Sequence, residues 1–356
     1  MNVLADASLP RLDELFAQSF HLRTYDSEQE LNALINECDV LICRSTLKVN
    51  HDLLHHSPVQ YVGTASSGID HLDTNYLAER GIRWFDAKGA NAHAVADYVV
   101  SSIAYLQKRY LLHDVKAGVI GFGEVGSRVY ARLQALGFEV LCVDPIKATR
   151  NKALTFHELQ ALKSCSLITI HPNFHTNPPY PSNNLINAEF INSLQANTVI
   201  INASRGGIVN EQALLNSKNP VIYCTDVFEH EPEINPQVVD YATLCTPHIA
   251  GHSLEAKQNA VIRLSQQLHT ALGLDFDVVS LEDKKPLPCQ ADTTWQDCVL
   301  TLYNPIHETN ALKQATNKKE AFLSLRKAHQ CRHDFKGYIN PHVSSTLNNI
   351  LGIEHP

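Results

Sequence analysis

The 356-residue sequence predicts an α/β protein with two doubly wound parallel-sheet domains and a small C-terminal α+β domain. Three observations carry this expectation. Short apolar runs alternate with helical stretches through the first ninety residues, a strand runs into the glycine turn Gly121-Phe122-Gly123-Glu124-Val125-Gly126, and further apolar runs recur beyond it with room for crossover helices. A chain this long favours two or three domains with a substantial core. Its 44% apolar and 19% charged residues exclude disorder, collagen and a small disulfide scaffold. The 29 Lys and Arg stand against 37 Asp and Glu, and a net charge of -8 disfavours nonspecific attachment to nucleic acid or anionic lipid. An anionic ligand must therefore be held by local donors.

In chain order, MNVLAD, LDELFAQSF, CDVLICRS and VQYVGTASSGID read as strands and helices of a first, flavodoxin-like sheet domain. Residues 92–109 carry Val95, Val99, Ile103 and Leu106 at helical spacing and a cationic end, so a long helix is expected there. Then come AGVI, a helix SRVYARLQAL ended by Gly137, strand FEVLCVD, a helical FHELQALKSC, and strands SLITIHP, TVIINAS and VIYCTDVF. That series predicts a Rossmann domain. A helical pattern returns from Gly251 to about Gly273, and DFDVVSLEDKKPLPCQ reads as a linker to a last module. The boundaries expected are 1–91 with 252–278, 92–251, and 279–356. No run approaches the roughly 18 apolar residues of a membrane span, and MNVLADASLP is strand-like, unlike an export signal, so a cytoplasmic protein is expected. The nine cysteines form no CxxC, which favours buried free thiols over disulfides and predicts no metal site.

The glycine turn has the context that gives such a pattern meaning, a strand before it and a helix after it. Gly121 permits the tight turn, Gly123 removes a side chain where a pyrophosphate approaches, and Gly126 lets helix and strand pack closely. The helix start then offers N–H groups to phosphate. Asp144 ends the next strand, at the distance of a carboxylate that accepts from an adenosine ribose, and it would repel a 2′-phosphate. NAD is thus preferred over NADP. The alternative reading of Asp144 is a cap on the next helix, and Glu124, an anion beside a pyrophosphate, is expected to face outward. The full set of expected cofactor contacts is Gly121, Gly123, Glu124, Val125, Gly126, Asp144, Ser204, Asp226 and Gly251. Asp226 follows a strand, where a nicotinamide contact and a simple turn cap are both open.

Arg205 in IINASRGGIVN, Glu231 in CTDVFEHEPEIN and His248 in CTPHIAG each close an apolar strand. Strand ends of an open α/β sheet face its ligand crevice, so the three can converge. Oxidising a secondary alcohol needs a base while a hydride leaves, and neutral His serves near neutral pH. A carboxylate behind it sets its tautomer, and an arginine can grip a substrate carboxylate through two parallel bonds.

The succession of glycine turn, NxxRGxxVxxxAL, DVFxxEP and TPHIAG resembles the D-2-hydroxyacid dehydrogenase superfamily. RSTLKVN at 44–50, GTASSGIDHLD at 63–73, ANAHAVADYV at 90–99 and AGHSLEAK at 250–257 bring the likeness nearer to its branch acting on 4-phospho-D-erythronate in pyridoxal phosphate biosynthesis. The likeness spans about residues 1–275 and continues weakly in AFLSLRKAHQCRHDF. It implies that Arg205 and Glu231 are active-site residues, that His248 donates or accepts the proton, and that Ser45 and Ser66 contact substrate. It also implies a cytoplasmic homodimer formed through the C-terminal module, with tightly held NAD. Two departures stand out. His171-Pro172-Asn173-Phe174 replaces a familiar His-Thr-Pro-Leu, and Pro172 has no N–H or hydroxyl for the cofactor. His252 replaces a familiar tyrosine and is expected to donate to substrate instead.

A phosphorylated acid needs holding at both ends. Arg205 suits the carboxylate, and Arg44, Ser45, Lys48, Ser66 and Ser67 suit the phosphate, with Asn91 read as either a contact or a cap. The rivals are phosphoglycerate dehydrogenase, another D-2-hydroxyacid dehydrogenase, or a dinucleotide-sensing corepressor or scaffold on the same fold. The chain shows no basic stripe for the last of these.

Overall fold

The computed structural model describes residues 1–150, 154–277, 284–290, 292–329, 332–339 and 345–353. The chain divides into two compact units, Met1–Asn91 with Leu254–Asp283, and Ala92–Ser253 with Lys284–Pro356. The expected boundary at 278/279 lies outside the described residues.

In the first unit five strands, β1 (Asn2–Asp6), β2 (His21–Tyr25), β3 (Val40–Cys43), β4 (Tyr61–Thr64) and β5 (Arg83–Asp86), pair in parallel in the order β2-β1-β3-β4-β5. Strand β3 is buried throughout because helices cover both faces of the sheet. One face packs Val3, Val40 and Ile42 against Val261, Leu264 and Leu268 of the helix Leu254–Leu272. That helix ends at Gly273, whose φ of 67° suits a residue without a side chain.

The second unit holds a six-stranded parallel sheet in the order β11-β10-β9-β8-β6-β7. Its strands are β6 (Lys116–Ile120), β7 (Glu139–Val143), β8 (Leu167–Ile170), β9 (Val199–Asn202), β10 (Ile222–Thr225) and β11 (Leu244–Cys245). The order reverses between β6 and β8, and open sheets bind ligands at the carboxyl ends of the strands flanking such a reversal. Beyond β7 a third strand shrinks to one bridge between Cys142 and Phe156. The helical reading of FHELQALKSC is narrowed to Leu159–Ser164, which form a 3-10 helix and no α-helix. Leu162 sits so close to β6 that a Cβ on Gly118 would lie 2.8 Å from it, and this docking favours a tight turn over a free-standing helix.

The C-terminal segment groups with the second unit because it completes that unit's core. Helix Trp295–Leu302 packs along helix Ala92–Lys108, and Ser345–Leu351 packs on helix Glu124–Ala135. Cys298, Val299, Phe335, Ile350 and Leu351 share one buried cluster with Val99, Ile103, Val129 and Leu133. The expectation of free thiols holds for Cys38, Cys43, Cys142, Cys165, Cys224 and Cys245, all buried. It fails for Cys289 and Cys298, which form a disulfide across a Cα separation of 5.7 Å. A turn ahead of helix Trp295–Leu302 folds back on its first turns, a proximity that spacing alone does not reveal. Cys331 lies outside the described residues. Among the described residues no helix is long and apolar enough to cross a membrane, and no group of three or more His, Cys, Asp or Glu could hold a metal ion.

One buried ion pair ties this unit together. Arg132 on helix Glu124–Ala135 bonds to Asp97 on helix Ala92–Lys108, and Asp97 Oδ2 also accepts the Phe335 N–H from the C-terminal segment. Burial pushes the Asp97 carboxyl upward, against the attraction of Arg132. Removing one partner strands a charge, so Arg132→Met should lower the unfolding free energy by about 3–5 kcal/mol. Adding Asp97→Leu should recover part of the loss in urea denaturation, and a single variant as stable as the parent would refute the coupling.

Candidate active site

The glycine turn closes β6 at the reversal of the sheet. Gly121 has a φ of 83°, and a Cβ there would lie 2.6 Å from the Pro172 nitrogen at the end of β8. A Cβ on Gly126 would lie 1.8 Å from the Gly121 oxygen, whereas a Cβ on Gly123 meets nothing within 4 Å. Two glycines thus allow close packing, and Gly123 leaves open space ahead of the helix, the shape needed for a pyrophosphate against backbone N–H groups. Glu124 faces outward, where its Oε2 accepts from Arg128 at 2.9 Å, and Val125 is half-buried behind it.

Asp144 serves both readings at once. One oxygen caps the following turn by accepting the Lys147 N–H at 2.9 Å, and the other accepts the Phe122 N–H of the glycine turn at 2.8 Å. A carboxylate has about four acceptor positions, so two remain for ribose hydroxyls. Beside it lies an open surface depression of about 420 Å³ lined by Pro145, Ile146, Thr149, His175, Pro179 and Tyr180. Pro172 offers its carbonyl to the Ser204 hydroxyl, so that hydroxyl hydrogen is committed within the protein.

Arg205, Glu231 and His248 follow β9, β10 and β11, three adjacent strands of one sheet. Asn202 steadies the arginine's turn, with its Nδ2 donating to the Arg205 carbonyl at 3.1 Å and its Oδ1 accepting the Ser204 N–H. Gly206 abuts the next loop so closely that a Cβ would lie 1.9 Å from the Phe228 oxygen. The same two loops are laced by Glu211 and Glu229, each accepting the other's backbone N–H at 3.0 Å. Glu231 Oε1 accepts the Phe228 N–H at 2.9 Å, and its Oε2 lies 2.6 Å from His248 Nδ1. Burial raises the Glu231 carboxyl, but His248 and the Phe228 N–H together hold it below its usual range. The imidazole stays 30% exposed.

Asp226, read from the sequence as either a nicotinamide contact or a turn cap, turns inward. It is 1% exposed, and its oxygens accept from the Thr246 hydroxyl and from the N–H groups of Ile249 and Ala250. Its visible task is to shape the His248 segment, because three protein donors reach it first. Gly251 and His252 continue that segment half-buried, and the His252 ring lies 6.5 Å from that of His329.

On the first unit, Arg44 follows β3 and its Nε donates to Asp6 Oδ2 at 2.9 Å, leaving the side chain 45% exposed. Burial raises the Asp6 carboxyl, yet the Ser8 hydroxyl and Arg44 bring it below its ordinary value. Ser45 and Lys48 are exposed on the same loop, Ser66 is half-buried after β4, and the Ser67 hydroxyl donates to Asn91 Oδ1 at 2.7 Å. Sequence reasoning missed Asn202 and the Glu211–Glu229 lacing. The asparagine begins the NxxRG pattern and could have been read, whereas the lacing depends on two loops meeting in space.

Residues 91–250 match the family model described as D-isomer specific 2-hydroxyacid dehydrogenase, NAD binding domain. A NAD-dependent formate dehydrogenase from Staphylococcus aureus, solved with NAD, superposes with a TM-score of 0.63 at 20% identity over 79% of this chain and all of its own. Nearer in sequence is an erythronate-4-phosphate dehydrogenase of Legionella pneumophila (strain Lens), 49% identical over 96% of this chain and 97% of the relative. One from Coxiella burnetii (strain RSA 331 / Henzerling II) is 32% identical over 99% and 98%. The chain belongs to the D-isomer specific 2-hydroxyacid dehydrogenases, in their erythronate-4-phosphate dehydrogenase family.

Two outcomes follow from this geometry. Gly126→Ala has no room for its methyl group, so NADH binding read by fluorescence should weaken at least about tenfold; unchanged affinity would contradict the packing. Burial raises Glu211 to about 7, partly offset by the Glu229 N–H and reinforced by the Glu229 charge. A carboxyl raised in the folded state favours the protonated form, so its contribution is full below the unfolded value of 4.5 and is lost as pH rises towards about 7. Glu211→Gln keeps the acceptor oxygen and removes that loss. Its melting temperature relative to the parent should climb between pH 4.5 and 7, and a pH-independent difference would refute the assignment.

Proposed function

We propose that the chain oxidises 4-phospho-D-erythronate at C2 to 2-oxo-3-hydroxy-4-phosphobutanoate, as a step of pyridoxal phosphate synthesis, with NAD as its cofactor. The observation that carries the reading is the His248 Nδ1 to Glu231 contact of 2.6 Å, on the sheet that also bears Arg205 and the glycine turn. Relatives named for this activity support the choice of substrate. The cradle fits the cofactor, since Gly123 leaves the approach open and Asp144 stands at the ribose position.

Glu231 fixes the Nδ1–H tautomer of His248, so the Nε2 lone pair faces the substrate hydroxyl. As His248 takes the hydroxyl proton, the C2–O bond gains its second bond and C2 releases its hydrogen as hydride. Bound NAD supplies the acceptor for that hydride. Glu231 stabilises the imidazolium, and Arg205 holds the C1 carboxylate and polarises the C2 oxygen in the reverse direction. Arg44, Ser45, Ser66 and Lys48 serve the phosphate end, and His252 donates a further bond to substrate. Gly121, Gly123, Val125, Gly126 and Gly251 contact the dinucleotide mainly through backbone, Ser204 through the acceptor side of its hydroxyl oxygen, with Glu124 adding only its main chain and Asp226 its remaining acceptor capacity. We assign the protein to the cytoplasm as a homodimer joined through residues 279–356, which light scattering should find near twice the 39.6 kDa chain mass.

Purified protein given 4-phospho-D-erythronate and NAD should form one NADH for each 2-oxo acid released. His248→Gln should lower kcat by about 100-fold or more while NADH still binds. A folded, NAD-loaded parent that turns over only the three-carbon phosphorylated acid would move the assignment to phosphoglycerate dehydrogenase. A protein with no turnover at all would favour a dinucleotide-sensing role.

A further inference from the structure

The segment that carries His248 is gripped on both sides of its backbone. On one side the buried Asp226 carboxylate accepts the N–H groups of Ile249 and Ala250, each at 2.8 Å, and the Asp226 carbonyl accepts the His248 N–H at 2.7 Å. On the other side stands Arg332, a residue of the C-terminal segment that is only 7% exposed. Its Nε donates to the His252 carbonyl at 3.1 Å, and its Nη2 donates to the carbonyls of Ala250 and Ala94. The face of its guanidinium lies over the Tyr303 ring, 4.4 Å from the centroid. The Ala250 residue is thus held at its N–H by an anion and at its C=O by a cation.

We infer that Arg332 is a positioning residue for the proton transfer, fixing from the C-terminal segment the backbone that aims the His248 imidazole at Glu231. The inference rests on the proposed role of His248. Removing a guanidinium from water is costly, and carbonyl partners return less than a carboxylate would. What the arrangement secures is geometry, because a planar fork can reach three carbonyls at once while stacked on an aromatic face. An ammonium offers one point and no plane. Arg332 joins Ala94, at the start of the long helix, to Ala250 and His252, so loosening it releases the segment on its carbonyl side only. The glycine turn and Asp144 make none of these contacts, so cofactor binding should survive.

The test compares the full-length parent with Arg332→Met, Arg332→Lys and His248→Gln, reading kcat, KM, NADH affinity and melting temperature. Misplacing a reacting group by about 1 Å costs up to about 100-fold in rate, so Arg332→Met should lose at least about tenfold in kcat with NADH affinity within about threefold of the parent. Arg332→Lys should fall between, and millimolar guanidinium should restore part of the Arg332→Met rate, a rescue that a general loss of fold would not show. A folded Arg332→Met with kcat within about twofold of the parent overturns the inference. So does a loss of rate that tracks a loss of NADH affinity and resists guanidinium. Should Arg332→Met fail to fold, Arg332→Lys decides alone, with a kcat lowered at least about threefold supporting the inference and an unchanged kcat overturning it. If His248→Gln keeps the parental rate, the reading of the site has failed; if it loses that rate while the Arg332 variants keep theirs, only the inference has.

Discussion

The site depends on the backbone conformation at His248. Its φ of 55° lies in the left-handed region, where a residue with a side chain gives up about 1–2 kcal/mol relative to the ordinary helix. A strained torsion persists only where its surroundings over-determine it. Here the surroundings are a buried carboxylate and a buried carbonyl from one residue, Asp226, which between them accept the N–H groups of His248, Ile249 and Ala250. With those three amides fixed, the imidazole projects to Glu231, and the 2.6 Å contact follows from backbone geometry rather than from attraction alone. This ordering of causes gives the fully buried acid its structural task, which is to hold the turn that carries His248.

The acids of this unit illustrate how environment divides similar groups among tasks. Asp226 is sealed in, and burial raises its carboxyl although His248 and three donors oppose that rise. Burial raises the Glu231 carboxyl, but the histidine against it and the Phe228 N–H draw it down below its usual range. Glu211, laced to Glu229 one loop away, is lifted to about 7. Near neutral pH it is therefore only partly charged. That keeps a full further anion out of the loops that follow the strands bearing Arg205 and Glu231.

Local patterns proved legible where the physics is local. A strand entering Gly121, Gly123 and Gly126 constrains its own backbone, and apolar strands that end in Arg205, Glu231 and His248 announce a shared sheet edge. Asp144 showed the limit of an either-or reading, because one carboxylate both caps a turn and braces the glycine turn. For Asp226 the sequence left a cofactor contact and a turn cap equally open, because strand position tells where a side chain starts and not which amides reach it first. The helix expected at 156–165 gave way to a 3-10 turn under a tertiary contact between Leu162 and Gly118. Cys289 and Cys298 joined because a turn brings them together, a relation invisible in their spacing.

The tail was hardest to read, and its charges explain why. Arg332 and Asp334 sit in a short stretch whose pattern resembles a solvated surface, yet they are 7% and 1% exposed. Arg332 is buried there because the surface it covers is itself polar backbone, namely the carbonyls of Ala94, Ala250 and His252, while the backbone N–H of Phe335 meets the acid Asp97. An apolar cap would have left those groups unsatisfied, and each buried orphan is destabilising. A segment that must cover both an apolar helix face and a set of carbonyls needs Phe335 beside Arg332. That mixture defeats any reading built on hydrophobic period, and it places the chemistry of a seemingly accessory segment against the loop where the proton is proposed to move.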